Sequence, residues 1–229
     1  MNTKNPKILI ACPTYQGKEY CLDKYINALK SLTYQNKDIL FVDNSKTHDY
    51  FNKIKSKGFA VIKDKPLKKP HDSIVQSRNL LRKEFLKKDY DYFLSLEQDV
   101  IPPKDIVEKL LTHNKKVISA VYYTWYKFFG VPKLRPLIWA DVPNDNTKMR
   151  FMNSECRNAL NSKESVLKKI KMCGLGCVLI HRSVLEKIKF KVPENYSTFD
   201  DFVFCNDVRK LGEIVWADLS IQCDHIVKN

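Results

Sequence analysis

At 229 residues the chain is long enough for one large domain, and a chain of that size buries about 70% of its unfolded surface without needing disulfides or metals. Its 44% hydrophobic and 29% charged content excludes a disordered or fibrous chain. Forty Lys+Arg against 26 Asp+Glu leave a formal charge of +14, which suits nucleic acid, an acidic membrane surface or a phosphorylated ligand, although lysine-rich surfaces are often only solubilising. The seven cysteines are odd in number and show no C-x-x-C spacing. With no apolar secretory stretch in MNTKNPKILIACPTY, they are expected to be free thiols in a cytoplasmic protein. No segment approaches the ~18 apolar residues of a spanning helix.

In chain order, Lys7–Cys12 predicts a buried strand stopped by Pro13, and Leu22–Leu32 a helix with Leu22, Tyr25, Ile26 and Leu29 on one face. Asp38–Asp43 predicts a second strand ending in the turn formers Asn44 and Ser45. Tyr50–Lys57 predicts a helix, Phe59–Ile62 a strand, Ser73–Leu86 a helix and Tyr92–Leu96 a strand shut off by Pro102-Pro103. A helix over Asp105–His113 and a strand over Val117–Tyr123 follow. Alternating strands and helices predict an α/β fold with a parallel sheet, whose ligands bind beyond the carboxyl ends of the strands. The Pro-, Asn- and charge-rich stretch Lys127–Asn161 is expected to be a long functional loop or lid. After it come a strand at Gly176–His181, helices at Ser183–Ile188 and from Asp200, and a strand pair at Ile214–Ala217 and Ser220–Gln222.

The sharpest chemical feature is YFLSLEQDVIPP, in which an apolar strand runs into Glu97-Gln98-Asp99. In an extended chain Glu97 and Asp99 point to the same side, and two such carboxylates suit Mg²⁺ or Mn²⁺. The alternative is a solvated acidic turn capping the next helix. Asp200-Asp201 opens a helical apolar pattern closed by Gly212. One acid serves the helix dipole, with Ser197 or Thr198 as an upstream cap, and the other is free to act as a general base. His225, beside Asp224, is a metal ligand or a surface residue. Thr14 and Tyr15 offer hydroxyls and an aromatic face to a nucleotide where the first strand ends, with Asp43 at the end of the second. Arg78 lies on the next helix, where an arginine pairs with phosphate. In Val121–Phe129, Trp125 and Tyr126 are candidates for a sugar-stacking platform, whereas Tyr122 and Phe128 read as core.

Taken in order, these residues resemble the GT-A nucleotide-sugar glycosyltransferases, in particular family-two-like inverting enzymes. Pro13-Thr14-Tyr15, Val42-Asp43-Asn44-Ser45, Ser77-Arg78-Asn79, the D-x-D-like Glu97-Gln98-Asp99, Gly174-Leu175-Gly176 with His181-Arg182, Asp200-Asp201 with Arg209 through Gly212, and His225 follow the family's order over roughly residues 7–225. Two positions depart from its pattern: Glu97 replaces the commoner aspartate, and Asp200 replaces a glutamate. The resemblance implies a GT-A (Rossmann-like), mostly parallel central sheet flanked by helices with a small antiparallel C-terminal part. It implies one domain over 1–229, with a nucleotide-binding half near 1–123 and an acceptor half near 124–229.

The implied reaction moves a sugar from a nucleoside-diphosphate sugar to an acceptor hydroxyl with inversion. The implied roles are Mn²⁺ or Mg²⁺ held by Asp99, with Glu97 and His225 assisting; donor binding by Thr14, Tyr15, Asp43, Arg78 and Glu97; and Asp201, or else Asp200, as base. The acceptor is a glycan, a lipid-linked molecule or a protein. A nucleotidyltransferase is the first alternative, disfavoured because Cys12–Lys18 lacks a glycine-rich phosphate loop. A nucleic-acid-binding protein is the second, disfavoured because the lysines are scattered. The modest cluster Lys63, Lys65, Lys68 and Lys69 is a candidate contact for an anionic membrane.

Overall fold

A computed structural model of the chain describes residues 5–162, 164–193 and 199–228. The anticipated Ser197 or Thr198 cap therefore lies outside the described residues, as does the Phe128 side chain. In the first half, β1 (Ile8–Thr14), a 3-10 turn (Gln16–Cys21), α1 (Leu22–Ser31), β2 (Lys37–Asp43), α2 (Asp49–Ser56), β3 (Ala60–Lys63), α3 (Pro70–Lys87) and β4 (Tyr92–Leu96) follow in turn. The short β5 (Val100–Ile101), α4 (Ile106–Leu111) and β6 (Val117–Val121) come next.

The 127–161 stretch is not a lid without structure. A hairpin of β7 (Tyr123–Phe128) and β8 (Val131–Pro136) precedes β9 (Ile138–Val142), β10 (Asp145–Phe151) and α5 (Asn153–Leu160). These strands hide from a periodicity reading because VPKLRP and DNTKMRF are rich in prolines and charges. Their turns use left-handed backbone at Phe129, Gly130 and Asn144 (φ 49°, 79° and 62°). The chain closes with β11 (Leu167–Lys169), β12 (Met172–Cys173), β13 (Cys177–His181), α6 (Arg182–Leu185), α7 (Asp200–Lys210), β14 (Trp216–Gln222) and β15 (Asp224–His225). The anticipated pair 214–217 and 220–222 is thus one strand.

The main sheet has eight strands in the order β11-β14-β6-β13-β4-β1-β2-β3. All run parallel except β11 and β13, which are antiparallel to their neighbours. Helices cover both faces, so the central strands are apolar throughout, as buried parallel strands must be. Alternate side chains feed two cores: Leu9, Ala11 and Phe93 join Leu81 and Phe85 of α3 and Phe204 of α7, whereas Ile8, Ile10, Leu94 and Leu96 join Tyr25 of α1, Ile54 of α2 and Val107 of α4.

Pro13 does not stop β1, which runs on to Thr14. Thr14 O accepts from Asn44 N on the β2 side, so Pro13 faces β4, whose pairing with β1 has already ended at Ala11. The missing N–H therefore costs no ladder bond.

Candidate active site

The carboxyl ends of β1, β2 and β4 share one edge of the sheet, and the chemical residues gather there. Glu97-Gln98-Asp99 is a turn rather than an extended strand end, with Val100 N donating to Glu97 O at 2.9 Å. The simple alternation argument therefore does not place Glu97 and Asp99, and their neighbours do. β15 pairs antiparallel with β5, setting His225 opposite Val100. This register brings His225 Nε2 within 3.3 Å of Asp99 Oδ2, although 126 residues separate them.

His225 Nδ1 donates to Tyr123 O at 2.7 Å, so in the neutral ring Nε2 presents its lone pair toward Asp99. Lys18, on the 3-10 turn, also ion-pairs with Asp99. Burial raises the Asp99 proton affinity, but the hydrogen bond from His225 and the Lys18 ammonium outweigh it and hold the carboxyl below its usual range. Burial disfavours the His225 cation, yet Asp99 more than compensates and the ring titrates above its ordinary value. Asp99 Oδ1 is buried without a hydrogen-bond partner.

Glu97 is turned away from that pair and ion-pairs with Arg78 of α3. Arg78, 2% exposed, also lies 2.8 Å from Asp200 through Nε. One buried guanidinium thus sits between two carboxylates and engages Asp200, which is itself buried at the first position of α7. Burial pushes Glu97 above its ordinary value even with Arg78 beside it, and Asp99 and Asp200 add to the rise. Asp201 feels the Arg78 charge only weakly against burial and Asp200. Its carboxylate accepts from Phe202 N at 2.7 Å, and burial, then the neighbouring Asp200 charge, push its pKa up to about 7. Asp201 interacts electrostatically with Glu97, and Glu97 with Asp99 and His225, so the late acidic couplet and the tail imidazole converge on the same edge.

The anticipated donor-binding residues divide. Tyr15 is 48% exposed, and its ring lies so close over Gly17 that a Cβ there would meet it at 2.2 Å. Thr14 is buried and donates to Gln98 Oε1. Asp43 is fully buried, accepts from Ser45 N at 2.9 Å and lies 3.4 Å from Lys63 Nζ. Lys63 is therefore directed inward and drops out of the anticipated surface cluster. Asn79 serves packing, clamping Phe190 through two backbone bonds of 2.9 and 3.0 Å. Arg182 binds the Leu86, Lys88 and Tyr90 carbonyls and ties down the end of α3, away from the site.

Sequence reasoning gave three residues no part in the site, reading Tyr122 only as core. Gln98 accepts from Tyr50 OH at 2.8 Å and donates to Lys18 O at 2.6 Å, joining α2, the 3-10 turn and the end of β1. A polar residue inside an acidic turn was its only sequence signal. Lys18, the second, gave none, because its partner is 81 residues away. Tyr122 is buried, its hydroxyl accepts from Gly176 N at 2.9 Å, and it packs edge-on to His225. It also explains the glycines, since a Cβ at Gly174 would meet its hydroxyl at 2.2 Å and one at Gly176 its ring at 2.6 Å.

The residues at the carboxyl edge fit a divalent cation in part. The Asp99 carboxylate suits Mn²⁺ or Mg²⁺, whereas the His225 imidazole is the softer ligand; the unpartnered Asp99 Oδ1 supplies a further oxygen. Among the described residues no group of three or more His, Cys, Asp or Glu is arranged to hold a metal ion.

No protein-family model matches the chain, and no curated protein sequence does. Solved structures do. GalNAc-T7 with UDP, GalNAc and Mn²⁺ superposes at a TM-score of 0.68 and 10% identity, over 99% of this chain and 45% of that one. The mannosyltransferase PcManGT from Pyrobaculum calidifontis, in complex with GDP-Man and Mn²⁺, superposes at 0.63 and 11% identity, over 98% and 58%. TarS from S. aureus superposes at 0.58 and 17% identity, over 96% and 37%. The chain spans about half the length of these matches. At such identities the likeness establishes the fold: a GT-A α/β architecture with a large, mostly parallel central sheet flanked by helices.

Proposed function

We propose that the chain is a metal-dependent glycosyltransferase moving a sugar from a nucleoside-diphosphate sugar to an acceptor hydroxyl, with inversion. One observation carries this reading: on a GT-A sheet edge, Asp99 and His225 meet at 3.3 Å while an electrostatically coupled carboxyl, Asp201, is held at a pKa of about 7. Asp99 and His225 would hold Mn²⁺ or Mg²⁺. When bound, the ion supplies positive charge that stabilises the departing diphosphate. Binding asks His225 to give up the proton shared with Asp99, which couples metal uptake to proton release.

Lys18 balances Asp99 when no ion is there, and its long side chain is free to turn to phosphate afterwards. Tyr15 presents an open ring to the nucleoside. Thr14 and Asp43 shape that subsite from beneath, because their polar atoms already bind Gln98, Ser45 and Lys63. Asp201, ionised above about pH 7, takes the acceptor proton, and general-base assistance of this kind is typically worth 10²–10⁴-fold. Asp200 is the poorer candidate because its carboxylate is engaged by the buried Arg78 guanidinium at 2.8 Å.

Thermal-shift titration of nucleoside diphosphates with and without Mn²⁺ tests the reading. One nucleotide should raise Tm only with the metal, and Asp99→Asn should remove that metal-dependent part. Equal shifts for every nucleotide regardless of Mn²⁺ would refute it.

A further inference from the structure

The β7–β8 hairpin leaves the sheet's carboxyl edge at the active site. Its root is tied there, since Tyr123 O accepts from His225 Nδ1 at 2.7 Å and Tyr123 OH accepts from Gln222 Nε2 at 3.2 Å. Its far end is the two-residue turn Phe129-Gly130, with φ of 49° and 79°. Positive φ at both positions is the type I′ signature, which favours Asn-Gly and penalises a bulky ring. Phe129 nevertheless stands there fully exposed, at 105%. Neither backbone preference nor core packing accounts for an aromatic side chain at this position.

The ring is not alone. Cross-strand register sets Trp125 opposite Leu134 and Lys127 opposite Pro132 on one face. Trp125 and Leu134 on that face are 57% and 47% exposed; on the opposite face Tyr126 packs on Phe151, while Val131, next to the turn, is 55% exposed. From Tyr123 to Pro136 the sequence contains no acidic residue, and Lys127 lies on the Trp125 face and Lys133 on the other, one on each side of the ribbon. Both lysines are exposed.

We propose that this hairpin docks the protein on an anionic lipid bilayer, with Phe129 and Val131 entering the acyl boundary, Trp125 lying at headgroup depth and Lys127 and Lys133 contacting lipid phosphates. An exposed apolar patch of this kind needs a partner, and three features choose a bilayer. The ribbon is narrow and its apolar residues crowd the tip, whereas a stable protein interface takes about 800 Å² from each partner. Tryptophan with lysine beside a purely apolar tip is the arrangement favoured at a membrane interface. The net charge of +14 complements an anionic leaflet. Docking would present the active-site edge to the lipid surface and so favour a lipid-linked acceptor. The docking step itself does not rest on the glycosyl-transfer reading and is measured without donor or acceptor.

The test is co-sedimentation of the full chain with phosphatidylcholine vesicles, with and without phosphatidylglycerol. Binding should require the anionic lipid and weaken with salt. Phe129→Asn, which installs the residue the turn prefers and so preserves folding, should weaken binding about ten-fold or more. Lys127→Glu and Lys133→Glu should each weaken it at least five-fold or so. Equal binding to neutral vesicles, no binding to either, or an unchanged Phe129→Asn variant would overturn the proposal. A lipid-free, concentration-dependent dimer abolished by Phe129→Asn would overturn it too, by assigning the face to a second copy of the chain.

Discussion

Asp201→Asn separates what this carboxyl does for chemistry from what it does to the fold. Burial first, and the Asp200 charge second, raise its pKa from 3.8 to about 7. A group whose folded pKa lies above its unfolded value gives stability that is complete at low pH. That stability drains away as the pH rises from about 4 to about 7. The shift is about three pH units at roughly 1.4 kcal/mol each, which caps the penalty at about 4 kcal/mol above neutrality. The side chain keeps some solvent contact, and screening reduces the effect to about 1–2 kcal/mol between pH 5 and pH 8.

Asparagine does not ionise and escapes this penalty. Relative to wild type, the variant should gain about 1–2 kcal/mol in going from pH 5 to pH 8, or roughly 2–8 °C in Tm, while transfer falls 10²–10⁴-fold. Urea denaturation at both pH values isolates the charge, because any loss from the amide's own hydrogen bonding is common to both. A stability difference that is flat with pH, or one that moves the opposite way, would refute a buried, proton-holding Asp201.

Two further perturbations probe the support around it. Arg78→Met strands Glu97 and Asp200 as buried carboxylates and should cost about 3–5 kcal/mol at pH 8. The deficit should shrink toward pH 5 as Glu97, already raised by burial, takes up a proton; a deficit unchanged by pH in urea titrations would mean that Arg78 acts through packing alone. Gly176→Ala forces a Cβ to within 2.6 Å of Tyr122 and 2.9 Å of Val100. Overpacking of that kind should cost about 1–3 kcal/mol, read by chemical denaturation, and no loss would show that the Tyr122 ring moves aside freely.

The alternation of apolar runs and helical spacings was legible because each central strand is buried on both faces and each helix on one. Tyr92–Leu96 was bounded correctly, and Leu22, Tyr25, Ile26 and Leu29 are all buried. Local pattern failed where tertiary pairing supplies the stability. β8 and β10 form from proline-rich and charged segments because a partner strand completes their hydrogen bonds. Pro13 stays in β1 because no neighbour asks for its N–H.

The chain by itself determined which side chains are available: the acids at 97, 99, 200 and 201, the arginine at 78 and the imidazole at 225. Their partners were decided only by the fold. A one-dimensional spacing carries no information on which carboxylate meets the buried guanidinium and which is left to hold its proton. Charge energies depend on distance and desolvation, and both are set by strand register and helix packing. The pairing of β15 with β5 put His225 on Asp99, and the seating of α7 against α3 gave Asp200 to Arg78.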